Sequence, residues 1–341
     1  MKAVVLERRG ADGVRIGDFP DPARPPGNAV IRVRAAALNH ADLYMRDDGR
    51  GITHELPMVL GLDAAGEVVE ADPDTGLTPG QRVMSYPMEF CGTCPQCQAG
   101  EQPWCENLRI IGEQRHGTYG EYLSAKAGCF LPVPDTLDWH QAAALPAAYM
   151  TAWRMMFGKA PLLPHETVLI HGVGGGVALA CLQMAAMVGA RAIVTSGSAD
   201  KLARAEELGA VAGIDYRDNT VWKAVMDLTQ GRGVDMVIDN VGAATWGDSL
   251  RAAAWGGRIV TCGTTSGAQP PADLQRVFVR QLRIFGSTAA NLAEYRALLR
   301  TVAEGRLLPV IDSVHPMDGA LEALARMAKA EQFGKIVLDI P

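Results

Sequence analysis

The segment Val168-Leu169-Ile170-His171-Gly172-Val173-Gly174-Gly175-Gly176-Val177-Ala178 runs from a short apolar stretch into four glycines within five residues. Val168–Ile170 reads as the end of a buried strand, and Val177–Val188 reads as a helix. A glycine turn between strand and helix lets the backbone approach a pyrophosphate. The N–H groups and positive dipole end of the helix favour that negative charge. The strict G-x-G-x-x-G spacing is not met, because its third glycine falls on Val177. The variant G-x-x-G-x-x-A fits through Gly172, Gly175 and Ala178. A tight structural turn is the plain alternative.

Around this loop, strands alternate with helices. Thr167–His171, Arg191–Thr195, Met236–Asp239 and Arg258–Cys262 read as strands. Asp200–Leu208, Thr220–Thr229 and Thr245–Ala253 read as helices, and one long helix is expected from Asp138 to Phe157. This rhythm predicts a parallel sheet covered on both faces, with Gln281–Ser287 as its last, edge strand. The first ~125 residues differ. Short apolar runs at Ala3–Leu6, Ala29–Ala35, Ala64–Glu70, Arg82–Ser85 and Glu121–Ser124 are separated by turn residues, which suggests a partly open β-barrel. The fold class is therefore α/β, with three stretches expected: 1–137, 138–287, and 288–341 returning to the first domain.

The barrel carries an excursion, Cys91-Gly92-Thr93-Cys94-Pro95-Gln96-Cys97, followed by Cys105. The C-x2-C-x2-C-x7-C spacing lets one loop wrap a tetrahedral cation, and four thiolates suit Zn²⁺. With every corner filled by cysteine, one structural zinc per subunit is expected, and the chemistry lies elsewhere. Disulfides are disfavoured, because Met1–Glu7 reads directly as a strand without a signal-peptide h-region. The expected location is a reducing cytoplasm. A net charge of −6 argues against a nucleic-acid partner, and no apolar run approaches the ~18 residues that suggest a membrane span. Cys129, Cys181 and Cys262 are isolated and read as small buried hydrophobes.

The end of the second strand bears on the choice of dinucleotide. About twenty residues past the glycine loop an NAD site presents an acidic residue to the ribose. Here Ser196 holds that position, with Lys201 and Arg204 on the following helix. A hydroxyl with nearby cations suits a 2′-phosphate, so NADP(H) is expected. Asp200 reads as the N-cap of that helix.

Taken together, the chain resembles the medium-chain dehydrogenases/reductases, the superfamily of zinc alcohol dehydrogenases and quinone oxidoreductases. The resemblance covers essentially the whole chain. It rests on Leu38–Arg46, Gly61–Gly66, the cysteine loop, Gly117–Tyr122, Thr151-Ala152-Trp153, the glycine loop, Asp239–Gly242 and Gly334–Val337. It implies a GroES-like barrel joined to a Rossmann domain, with the active-site cleft between them. It also implies cofactor contacts from His40, Thr151, Gly172, Gly175, Gly176, Val177, Ser196, Lys201, Tyr216, Asn240 and Gly263.

The catalytic metal does not follow from the resemblance. The positions that match the catalytic-zinc ligands are Asn39, Leu62 and Ala147, and these are poor or impossible ligands. A rearranged site using His40, Asp42 or His54 is the remaining metal alternative. Without a Lewis acid, alcohol oxidation lacks the group that lowers the alcohol's pKa. Hydride delivery to a quinone or an α,β-unsaturated carbonyl needs less help. Asn39, Asp42, Tyr44 and Arg46 resemble the quinone-oxidoreductase pattern Asn-x-x-Asp-x-Tyr-x-Arg. Asn39, Asp42 and Tyr44 are the catalytic candidates, with Tyr44 as proton donor, carbonyl-orienting group or cleft wall. The expectation is an NADPH-dependent reductase of a small carbonyl or quinone without a catalytic metal. The alternatives are an alcohol dehydrogenase or aldehyde reductase with an unusual or absent zinc, and a non-catalytic NADPH-binding module. Pairing of the Gln281–Ser287 edge with its own copy predicts a homodimer or a tetramer.

Overall fold

The computed structural model describes residues 1–49 and 55–341. They form two compact units, one of Met1–Ala148 with Asn291–Pro341 and the other of Tyr149–Ala290.

The first unit is built around the ten-residue strand Asn28–Ala37, whose inward side chains Ile31 and Val33 are fully buried. It pairs antiparallel with Asp63–Glu70, with Tyr122–Lys126 and with the C-terminal strand Lys335–Asp339. Arg82–Ser85, Phe130–Pro132 and Ile311–Pro316 complete a seven-stranded sheet. A smaller sheet of Val14–Asp18, Lys2–Leu6 and Met58–Val59 closes over the same apolar core. The C-terminal strand is long-range in sequence but central in space. Its register sets Val337 opposite Ala37, so two residues further along Lys335 meets Asn39.

The second unit is a six-stranded sheet in the order 210–215, 191–196, 167–170, 234–239, 253–261, 283–286. All pairings are parallel. Numbered along the chain, this is the order 3-2-1-4-5-6 of the doubly wound Rossmann sheet. Its switch point lies between the strands Thr167–Ile170 and Val234–Asp239, where such sheets receive ligands. The expected edge strand is present as Arg283–Gly286. The outer strand Ala210–Asp215 escaped the sequence reading, because Ala-Val-Ala-Gly carries little β propensity.

The long helix expected over Asp138–Phe157 is divided. Trp139–Ala144 is capped by Asp138, and a second helix begins at Pro146. Proline has no N–H to continue the ladder and crowds the residue before it, so the break falls at Leu145. Among the described residues, no helix is long and apolar enough to cross a membrane.

Candidate functional site

In the second unit, the strand Thr167–Ile170 ends at His171, and Gly172 turns the chain with φ of 71°. A residue with a Cβ reaches that conformation only with strain. Gly175 is the extended N-cap of the helix Gly176–Val188, and no described side chain caps its start. The first-turn N–H groups, including those of Gly176 and Val177, suit a phosphate. Across the switch point, Asn240 Oδ1 is buried with no hydrogen-bond partner among the described residues. A buried polar atom of that kind calls for a donor. Gly263 lies close to the Asn240 backbone, since a Cβ there would be 3.0 Å from the Asn240 main-chain oxygen. These features fit a dinucleotide. Thr151 lies half-buried on the helix Pro146–Trp153.

At the second strand end, Ser196 is buried and its Oγ accepts the N–H of Ser198 at 3.2 Å. Ser198, not Asp200, caps the following helix by accepting the Lys201 N–H at 3.4 Å. Asp200 sits in the first turn, because the extended Ser198 backbone places its own oxygen over the free N–H groups. Tyr216 lies against Gly197 so closely that a Cβ on Gly197 would be 2.8 Å from its hydroxyl. On the neighbouring strand Asp215 is paired with Ser196 across the sheet and is neutralised by Arg217 at 2.6 Å. Hydrogen bonds from Arg217 hold the Asp215 carboxyl below its ordinary value.

In the first unit, the three positions that match catalytic-metal ligands converge on one buried carboxylate. Asp63 Oδ2 accepts from Asn39 Nδ2 at 2.9 Å, and Asp63 Oδ1 accepts from the Ala147 N–H at 2.9 Å. Leu62 is its chain neighbour. The cation in this group is an ammonium. Lys335 Nζ donates to Leu38 O at 2.6 Å, to Asn39 Oδ1 at 2.7 Å and to Asp63 Oδ2 at 3.1 Å. Asn39 Nδ2 also donates to Ala37 O, so its amide is held inside the protein. Leu62 and Ala147 offer no ligand atom, and this donor set does not fit a catalytic zinc. His54 lies outside the described residues.

Asp42 opens the helix His40–Asp47 as the third residue of a capping box with Asn39. Its Oδ2 accepts from the Asn39 N–H at 2.7 Å and from the Tyr119 hydroxyl at 2.6 Å. Its Oδ1 is buried without a partner among the described residues. Burial pushes the Asp42 carboxyl up to about 7. Glu113 is pushed up to about 7 by burial and then by Asp42. Burial, then the Lys335 ammonium, lowers the His40 imidazole. Tyr44 is half-buried against the barrel core. The structure thus joins Asn39 and Asp42 in one network and sets Tyr44 about 200° around the helix from Asp42. The sequence reading missed Asp63, Tyr119, Glu113 and Lys335 as members of this cluster. Lys335 had a signal, a lone cation heading the apolar strand Lys335-Ile336-Val337-Leu338.

The four cysteines also gather. The ligand atoms of Cys91, Cys94, Cys97 and Cys105 all lie within 4.8 Å of one another, and among the described residues this is the one grouping with metal-ligand geometry. The Cys94 N–H donates to Cys91 Sγ, and the Cys91 N–H donates to Cys105 Sγ, each at 3.3 Å. Backbone N–H groups of Thr93 and Cys94 bring the Cys91 thiol down to about 5, whereas burial pushes Cys97 up to about 12. Four thiolates can coexist there only around a cation. Glu101 and Gln102 tie the excursion to Asn291 and Leu292.

Two family models match, the alcohol dehydrogenase GroES-like domain over residues 25–135 and the zinc-binding dehydrogenase over residues 176–304. The chain is 29% identical over 341 residues to an acryloyl-coenzyme A reductase of Metallosphaera sedula, covering 99% of each protein. It is 30% identical over 349 residues to an NAD-dependent alcohol dehydrogenase of Sulfolobus acidocaldarius, covering 100% of each. Among solved structures, it superposes on a crystal structure of an NAD-dependent alcohol dehydrogenase with a TM-score of 0.95 and 40% identity, over 100% of both chains.

Proposed function

The chain belongs to the medium-chain dehydrogenase/reductase superfamily, and on that premise we propose that it is an NADPH-dependent reductase of α,β-unsaturated carbonyls or quinones that uses no catalytic metal. The observation that carries this reading is the Lys335–Asp63–Asn39 network, which fills the convergence of the three matching metal positions with an internal cation. NADPH, when bound, supplies the hydride. Gly172, Gly175, Gly176 and Val177 would hold its pyrophosphate, with His40 as a further contact. Thr151, Asn240 and Gly263 would serve its nicotinamide end, and Ser196, Lys201 and Tyr216 its 2′-phosphate. Tyr44 would donate a proton to the developing enolate or orient its carbonyl. Asn39 and Asp42 would fix the start of the helix that carries Tyr44.

The likeness to an acryloyl-coenzyme A reductase supports the C=C arm over the quinone arm. A second reading is an alcohol dehydrogenase or aldehyde reductase, favoured by the 40% identity to a structure named as an NAD-dependent alcohol dehydrogenase. Steady-state assays with NADPH and NADH against enones, enoyl thioesters, quinones and aldehydes separate the two. We expect NADPH-driven reduction of enones. Turnover of simple alcohols stimulated by added Zn²⁺ would establish the second reading instead. Tight NADPH binding with no turnover of any acceptor would mark a binding module. One structural zinc at the four cysteines and a homodimer through the Arg283–Gly286 edge complete the proposal.

A further inference from the structure

A buried line of hydrogen bonds crosses the switch point of the second unit. Asp239 ends the fourth strand in chain order. Its carboxylate accepts from Val241 N at 3.0 Å, Gly242 N at 2.9 Å, Thr245 Oγ1 at 2.8 Å and Ser249 Oγ at 2.6 Å. Facing four donors, it has only acceptor roles, so the single Ser249 hydroxyl hydrogen points to it. Ser249 Oγ, 3.1 Å from His171 Nε2, must then accept from the imidazole N–H. The other ring nitrogen, Nδ1, is left as an acceptor and faces the Thr195 hydroxyl at 3.4 Å. Thr195 Oγ1 in turn accepts the Gly172 N–H at 3.1 Å. Each donor and acceptor along the line is used in one direction, which fixes His171 as the neutral Nε2–H tautomer. His171, Ser249 and Asp239 are fully buried, and Thr195 is 1% exposed. Burial lowers the His171 imidazole, against the opposing pull of Asp239 and Asp248.

The line begins at the first loop glycine, passes through the second strand end and finishes at the loop after the fourth strand. Backbone bonds run beside it, from Val173 N to Thr195 O at 2.8 Å and from His171 N to Ile238 O at 3.1 Å. The three segments it joins carry Gly172–Val177, Ser196 and Asn240. We propose that His171 is a positioning residue for the dinucleotide, holding these three strand ends in the arrangement that receives it. This rests on the reading of Tyr149–Ala290 as a dinucleotide-binding unit. It adds a role for a histidine that is fully buried.

A positioning hub should act on the parts that NADH and NADPH share. The test is titration of both dinucleotides, with thermal melting of each cofactor-free variant. Thr195→Val and Ser249→Ala each cut one link at nearly constant volume. We expect each to raise both dissociation constants about tenfold, the scale of one lost buried hydrogen bond. Thr195→Ser keeps the hydroxyl and should stay within about twofold of wild type. Folded Thr195→Val and Ser249→Ala proteins that bind both dinucleotides like wild type would overturn the proposal, whatever their melting temperatures. So would equal losses in Thr195→Val and Thr195→Ser, because the methyl change and not the hydroxyl would then be responsible. If the wild-type chain binds neither dinucleotide, the cofactor reading itself fails and His171 loses this role with it.

Discussion

Lys335 Nζ lies 3.1 Å from Asp63 Oδ2, with the two side chains 3% and 0% exposed. An ion pair this dry gains little over an apolar pair of similar volume, yet leaving one partner alone is costly. Lys335→Met strands the Asp63 carboxylate and should destabilise the chain by about 3–5 kcal/mol. Adding Asp63→Asn to that variant should restore part of the loss. Denaturant unfolding of the two singles and the double variant measures the coupling. Simple additivity would mean that the pair is not the organising contact of this cluster.

Lys201 and Tyr216 are the residues proposed to distinguish the two dinucleotides. A charge-assisted contact to phosphate contributes roughly 1.5–3 kcal/mol. Lys201→Ala should therefore weaken NADPH about ten- to a hundredfold and leave NADH nearly untouched. Dissociation constants for both cofactors decide this. Equal weakening, or a wild type that prefers NADH, removes the proposed phosphate site. It also separates Lys201, which should act on one dinucleotide, from Thr195 and Ser249, which should act on both.

Metal content is the third expectation. Elemental analysis should find about one zinc per subunit, and Cys94→Ser should lose it. Metal binding and loop ordering are coupled, so the variant should melt several degrees lower and become protease-sensitive within 91–105. Two zincs per subunit, or none in protein prepared without chelator, contradicts the assignment.

The buried Asp42 makes stability depend on pH in a defined sense. Its carboxyl is pushed up to about 7 in the fold from an ordinary 3.8. Between those values the folded chain binds the proton more tightly than the unfolded chain. The contribution of Asp42 is therefore fully present below about pH 4 and lost as pH rises through about 7. Asn can accept the same Asn39 and Tyr119 donors but does not ionise. Measured against wild type, Asp42→Asn should gain about 4 kcal/mol between the acid and alkaline ends of this window. A stability difference that stays flat from pH 4 to 8 would show that Asp42 does not hold its proton in the fold.

The edge strand Arg283–Gly286 lies in a unit that also exposes Trp255, Leu274 and Phe278 at 64%, 68% and 69%. Unpaired strand edges and large exposed aromatic groups mark surfaces that associate. Light scattering should report a dimer or tetramer at micromolar concentration. Phe278→Glu should shift that equilibrium toward monomer, and a monomeric wild type sinks the assembly proposal.

The sequence by itself determined what short-range pattern can encode. Four glycines between an apolar strand and a helix point to a Rossmann-type turn, and C-x2-C-x2-C-x7-C points to a loop that wraps one centre. The run Gln281–Ser287 could be placed as the last strand of the Rossmann sheet, and hence at its edge. Tertiary structure decided the rest. Lys335 meets Asp63 across 272 positions, Tyr119 meets Asp42 across 77, and Ser249 meets His171 across 78. Those partners are chosen by sheet register and by the need to satisfy charges taken out of water. Residue types alone offered several equivalent choices, so neither the internal cation at the matching metal positions nor the hub at the switch point was legible. The same reason settled the smaller points. Ser198 rather than Asp200 caps its helix because the local backbone turns extended two residues earlier, and Pro146 divides a helix whose alanines alone favoured continuity.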